Sequence, residues 1–112
     1  MIVDINPLKP GKLEAYKAFV AIITGPRKKE FSDLLKRYGL KTAEVFYQKL
    51  GDREFVIVIH QAEDDALDRL SHFESSKNPY DIWFSQQLKT LHDFTGITNP
   101  HSELLFSFNA ES

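Results

Sequence analysis

Residues Arg53–Asp65 read REFVIVIHQAEDD, with five apolar side chains in a row from Phe55 to Ile59 and a histidine closing the run. A half-buried strand alternates apolar and polar residues, and this one does not. One face would carry Phe55, Ile57 and Ile59, the other Val56, Val58 and His60. A strand apolar on both faces needs a cover on each side.

Upstream, Thr42–Lys49 is a second strand-like run, joined to the first through Leu50-Gly51-Asp52-Arg53. Gly51-Asp52 suits a two-residue hairpin turn, because glycine supplies the positive φ that such turns require. The implied register pairs Leu50 with Arg53, Tyr47 with Val56, Val45 with Val58 and Ala43 with His60. On that register Val45, Tyr47, Val56 and Val58 share one apolar face. Leaving it bare would give a small monomer an adhesive patch.

Working outward, Met1–Asn6 reads as a short first strand ending at Pro7. Leu13, Tyr16, Val20 and Ile23 recur at helical spacing, and Phe31, Leu34, Leu35 and Tyr38 resume it beyond Gly25-Pro26. These are one kinked helix or two abutting ones. After the hairpin, Asp64 and Asp65 place negative charge where a helix begins, and Leu67, Leu70 and Phe73 form a short stripe. Asn78-Pro79 has the cap-then-first-turn arrangement of another helix, carrying Phe84, Leu88 and Leu91 toward Gly96. Ser102–Phe108, SELLFSF, is expected as a last strand in which Leu104, Phe106 and Phe108 alternate with Glu103 and Ser107.

The order β-α-β-β-α-β predicts an α+β, ferredoxin-like domain spanning residues 1–112: a four-stranded antiparallel sheet with helices on one face. The face bearing Val45, Tyr47, Val56 and Val58 is expected to be the open one, covered by a second copy in a homodimer.

Composition narrows the chemistry. The 112 residues include no cysteine, which removes disulfides, thiolate metal sites and thiol nucleophiles together. A net charge of -2 argues against a nucleic-acid partner, and the Arg27-Lys28-Lys29 cluster is answered at once by Glu30 and Asp33. No apolar run approaches a membrane span, and the first residues lack a basic leader, so the expected location is the cytoplasm. His72, His92 and His101 have no ligand-spaced partners, so no metal site is expected, and His101 reads as a solvated loop residue.

The candidates for chemistry are few. His60 ends the central strand where the chain turns, and histidine titrates near neutrality, so it is the candidate base; the plainer role is a hydrogen bond to backbone at a sheet edge. Tyr47 is expected on the same face. Tyr80 and Trp83 gather aromatic area at the start of the last helix, fit either for core packing or for a flat ligand.

The βαββαβ order, the first strand running into Asn6–Lys12 (NPLKPGK), the Gly51–Asp65 passage (GDREFVIVIHQAEDD) and Asn78–Phe84 (NPYDIWF) resemble the dimeric α+β barrel superfamily. Antibiotic-biosynthesis monooxygenases and stress-responsive barrel proteins share that plan. The resemblance implies a homodimer with a cavity in each half, between sheet and helices. It leaves the reaction open, because the superfamily holds cofactor-free oxygenases, haem degraders and isomerases. Asn6 matches the asparagine of the haem-degrading branch, but the helix after His60 lacks the tryptophan that branch carries there. The resulting expectation is a protein without a cofactor that binds or oxidises a small aromatic molecule in a monooxygenase-like way, with His60 as base and Tyr47, Tyr80 and Trp83 holding the ring. The alternative is a binding or assembly module whose apolar face serves only dimerisation.

Overall fold

The computed structural model describes residues 1–111. β1 (Ile2–Leu8) is followed by α1 (Leu13–Thr24) and α2 (Lys28–Arg37), then by the hairpin β2 (Glu44–Leu50) and β3 (Arg53–His60). A short α3 (Ala66–Leu70), a 3-10 turn (Phe73–Ser75) and α4 (Pro79–Leu91) complete the regular structure. The sheet is antiparallel, in the order β1-β3-β2.

Local chemistry accounts for these boundaries. Gly51 takes φ +61 in the hairpin turn, and Leu50 pairs with Arg53, Tyr47 with Val56 and Val45 with Val58, as the turn requires. Two helices abut at residues 25–27. A Cβ at Gly25 would stand 2.7 Å from the Ala21 carbonyl oxygen, so only glycine lets the chain turn so soon after α1. Asn78 caps α4, its Oδ1 accepting from the Tyr80 and Asp81 amides ahead of Pro79.

Two corrections follow. The sheet has three strands rather than four. Residues 100–102 lie beside β1, where the Ile5 amide donates to the Pro100 carbonyl and the Ser102 amide to the Val3 carbonyl, but among the described residues Glu103–Phe108 form no ladder with any strand. The alternation of Leu104, Phe106 and Phe108 is present in the sequence, but the pairing with β1 stops at Ser102.

The faces of the hairpin are also exchanged. Val56 is buried with Tyr16, Phe19 and Ile23 of α1 and Leu91 of α4, and Val58 packs against the same cluster. The helices therefore take the Val56 face, and the open face carries Phe55, Ile57 and Ile59 with Val3, Ile5 and Phe46 from the neighbouring strands. Because both faces of β3 are apolar, alternation within it could not say which one the helices choose. The β1 partners decide: Ile2 and Leu8, both buried, fall on the Val56 side.

Helix cover stops short of β2. Its inward-facing Val45 and Tyr47 remain 46% and 41% exposed, and Phe46 on the other face 51%. A second core cluster, of Ile2, Leu34, Tyr38, Leu40, Ala66 and Tyr80, fills the end of the molecule where β3 finishes.

Candidate functional site

The register fixes which side chains share the helix-facing side of the sheet. Ile2 stands opposite His60, Asp4 opposite Val58 and Val45, and Asn6 opposite Val56 and Tyr47. The middle of this surface is apolar valine. Polar groups line its β1 edge, at Asp4 and Asn6, and its far corners, at His60 and Tyr47. A polar pair between the buried Ile2 and Leu8 of one strand face departs from the pattern of a plain core, and such departures concentrate at functional positions.

His101, approaching from beyond α4, hydrogen-bonds Asp4: its Nδ1–H donates to the carboxylate Oδ1. Both side chains are largely withdrawn from solvent, at 31% and 18% exposed, so His101 is not the solvated loop residue its position after Pro100 suggested. A carboxylate on Nδ1 fixes the orientation of the ring, the usual arrangement behind a histidine base. Sequence reading missed this pair. The available signal was the parity of β1, since Asp4 and Asn6 share a face with Ile2 and Leu8, but the residue completing it lies 97 positions away.

His60 lies at the strand end as expected, its Nδ1–H donating to the Thr42 carbonyl at 2.8 Å. That bond serves a structural role and also leaves Nε2 as the acceptor. Tyr47 donates its hydroxyl to Glu54 Oε1 at 2.8 Å across the hairpin, which pushes its own pKa up. It lies two residue pairs from the row of Val45 and four residues along the hairpin from His60, so the two do not meet.

Tyr80 and Trp83 do come together, with ring centroids 5.5 Å apart on the first turns of α4. The Arg27 guanidinium covers both, 4.8 Å from the Tyr80 ring and 4.3 Å from the Trp83 ring, while Glu30 holds it from the side through two hydrogen bonds of 2.8 and 2.9 Å. Arg27, one member of the Arg27-Lys28-Lys29 cluster, is thus a cation–π lid on the aromatic pair. Tyr80 is buried and, among the described residues, its hydroxyl has no hydrogen-bond partner; burial pushes its pKa up to about 12. The ring borders an open cleft of about 280 Å³ shared with Lys29, Glu30, Asp33 and Asn78. A buried hydroxyl without a partner costs roughly 1 kcal/mol or more, so Tyr80→Phe is expected to raise the thermal midpoint by about 3–6 °C. A midpoint lowered by calorimetry would show that the hydroxyl has a stabilising partner.

A third cluster is purely architectural. Asp81, 1% exposed, accepts two hydrogen bonds from Arg37 at 2.7 and 2.8 Å, one from the Tyr38 hydroxyl at 2.8 Å and one from the Ser76 hydroxyl at 2.7 Å. Burial alone would push this carboxyl up, but the Arg37, Ser76 and Tyr38 bonds together outweigh it and hold the pKa at about 2. Among the described residues no three His, Asp or Glu side chains gather as a metal site would require. Among the described residues no helix is long and apolar enough to cross a membrane.

Comparison with known proteins adds one likeness of fold. No family model and no curated protein matches the sequence. Among solved structures, the chain is similar to tetracenomycin F2 cyclase from Streptomyces glaucescens, described as a type-II polyketide cyclase. The match has a TM-score of 0.60 over 97% of this chain and 96% of that one, at 14% identity. At that identity the likeness shows a shared α+β fold with an antiparallel sheet and helices.

Proposed function

We propose that the chain forms a homodimer through its open sheet face and binds a small aromatic molecule on the helix-facing side of the sheet, where a histidine removes a proton from it without a cofactor. The observation that carries this reading is the Asp4–His101 pair on the polar edge of an otherwise apolar surface. The end-to-end likeness of fold to a polyketide cyclase supports the substrate class. Ring closure of a polyketide and cofactor-free, monooxygenase-like oxidation of a quinol share one opening step, transfer of a proton from an acidic C–H or O–H to a base. The electron pair left behind enters the ring system as an enolate or phenolate. His101 is the better-prepared base, because a carboxylate stabilises the imidazolium that forms, whereas His60 has a neutral carbonyl behind it. Tyr47, Tyr80 and Trp83 supply aromatic surface.

A specific observation favours the competing reading of a binding or assembly module. The space between helices and sheet is filled by Tyr16, Phe19, Phe84 and Leu88 around Val56, and His60 already serves a backbone carbonyl.

One experiment separates the two. With 1,3-dihydroxynaphthalene as probe, the fluorescence of Trp83, the sole tryptophan, is expected to quench saturably. Exchange of the acidic ring proton in deuterated water should be accelerated by the protein, and His101→Ala should slow that exchange by about 100-fold. His60→Ala should leave it within a few fold; the reverse pattern would move the base to His60. Quenching without exchange would favour the binding module, and neither effect would remove the aromatic-ligand reading.

A further inference from the structure

We propose that His92 is an acid-sensitive clamp: while neutral it locks the end of β1 onto the end of α4, and on protonation it lets that junction open. The inference stands apart from the function proposed above, since it involves neither a ligand nor proton transfer by His101.

The ring sits where three elements meet. His92 follows the last residue of α4 and is 3% exposed. Its Nδ1–H donates to the Pro7 carbonyl at 3.0 Å, and the Asp93 amide donates to the same oxygen at 3.1 Å. From the other side the Lys9 amide donates to the Leu91 carbonyl at 2.9 Å, and Leu8 bridges to His92. The imidazole also stands edge-on to Tyr16 of α1, with ring centroids 5.5 Å apart, and Phe94 lies 5.4 Å away. One titratable side chain therefore ties β1, α1 and α4 together.

This joint suits a neutral ring. Because the Pro7 carbonyl can only accept, Nδ1 already carries a hydrogen, and an added proton must go to Nε2. That step brings a full charge in among aromatic rings, where water cannot solvate it. The carboxyl end of α4 and the Pro7 carbonyl favour a cation. Burial outweighs the carbonyl and holds the imidazole below its ordinary value of 6.5.

The charges around the junction give the imidazolium little relief. Tyr16, from α1, stays neutral, because burial pushes its hydroxyl up to about 12. Lys12 lies one turn ahead of it, Lys9 donates its ammonium to the Lys89 carbonyl, and the Lys89 side chain pairs with Glu74. Asp93, the adjacent acid, is exposed and accepts from the Thr95 amide at 3.0 Å. Among the described residues no carboxylate pairs with His92. The closed junction therefore binds the proton less readily than an open one. Closure is complete above about pH 6.5 and weakens as pH falls below that value. Because β1 also carries Asp4 and Asn6, opening at its Leu8 end loosens the strand that holds them.

NMR on the full chain tests this in two ways, by titrating the assigned imidazoles and by amide hydrogen exchange between pH 7.5 and 5, corrected for intrinsic rates. The His92 ring is expected to titrate below 6.5. Protection of the Lys9 and Asp93 amides should fall about tenfold or more over that range, while amides of β3 hold theirs. His92→Asn keeps a neutral donor near the Pro7 carbonyl and should make the protection independent of pH. A His92 ring titrating above 6.5 would mean that the helix end and the carbonyl win, and would overturn the clamp. So would wild-type protection that does not change with pH. An acid response that begins at Ser102 and survives His92→Asn would place the sensor in the Asp4–His101 pair instead.

Discussion

Asp81→Ala is expected to destabilise the protein by about 2–4 kcal/mol in denaturant titration. The carboxylate draws together α2 through Arg37, the end of α2 through Tyr38 and the turn before α4 through Ser76, and all four hydrogen bonds end on it. Removing it leaves the Tyr38 hydroxyl and one side of a guanidinium unpaired. The cost is set at the lower side of what a fully buried pair would show because Arg37 keeps 31% of its surface in water and retains Asp33. The same group dictates acid behaviour. Its pKa is held at about 2 in the fold, against an ordinary value of 3.8. The stabilisation is therefore complete above about pH 4 and is lost as pH falls from there through about 2, amounting to roughly 2 kcal/mol. Unfolding followed from pH 5 to 2 should show this loss in the wild type and a flatter dependence in Asp81→Asn. Equal slopes would mean that the acid sensitivity resides elsewhere.

Phe19→Ala is expected to cost about 3–5 kcal/mol, the largest effect of any single side-chain truncation named here. Phe19 is buried against Tyr16, Trp83 and Phe84, with ring centroids 5.8, 5.9 and 5.2 Å away, and it sits over the Val56 surface of the sheet. Because these rings interlock around it, the vacated volume has no flexible neighbour to refill it. Thermal melting of Phe19→Ala beside Phe19→Leu measures this: the leucine variant should recover at least half of the loss. A loss under about 1 kcal/mol for the alanine variant would mean that α1 is free to collapse onto β3.

The two helical stripes, the hairpin and its register were legible in advance because their causes are local. Gly51 requires the turn, the turn sets the pairing of Tyr47 with Val56, and Asn78-Pro79 starts a helix wherever it occurs. The inner face was not legible. Choosing it required knowing that Ile2 and Leu8 fall beside His60 and Glu54, a relation between segments some fifty residues apart. The same limit hid the candidate base: Asp4 looked like an interruption of a strand and His101 like a loop residue until the fold put one against the other. Tyr80 and Trp83 were placed together correctly from adjacency, but the Arg27 lid over them depends on how α2 begins. The fourth strand was read correctly as apolar alternation and incorrectly as part of this sheet. Alternation records that a segment can form a strand, without recording whether a ladder forms.

The pairing of β1 with β3 has a consequence for how the chain assembles in time. β2 and β3 join through a two-residue turn, so their ladder closes locally and early. β1 finds its partner only across the gap from Ile2 to His60, after both helices between them have been laid down, which is the slow, entropy-limited kind of contact. During synthesis the first strand emerges with no complement until nearly half the chain has followed it. Refolding should therefore be limited by docking of the amino-terminal strand onto a preformed hairpin. Substitutions at Val3 or Ile5 would then slow folding, and those in the Leu50–Arg53 turn would shift the earliest phase.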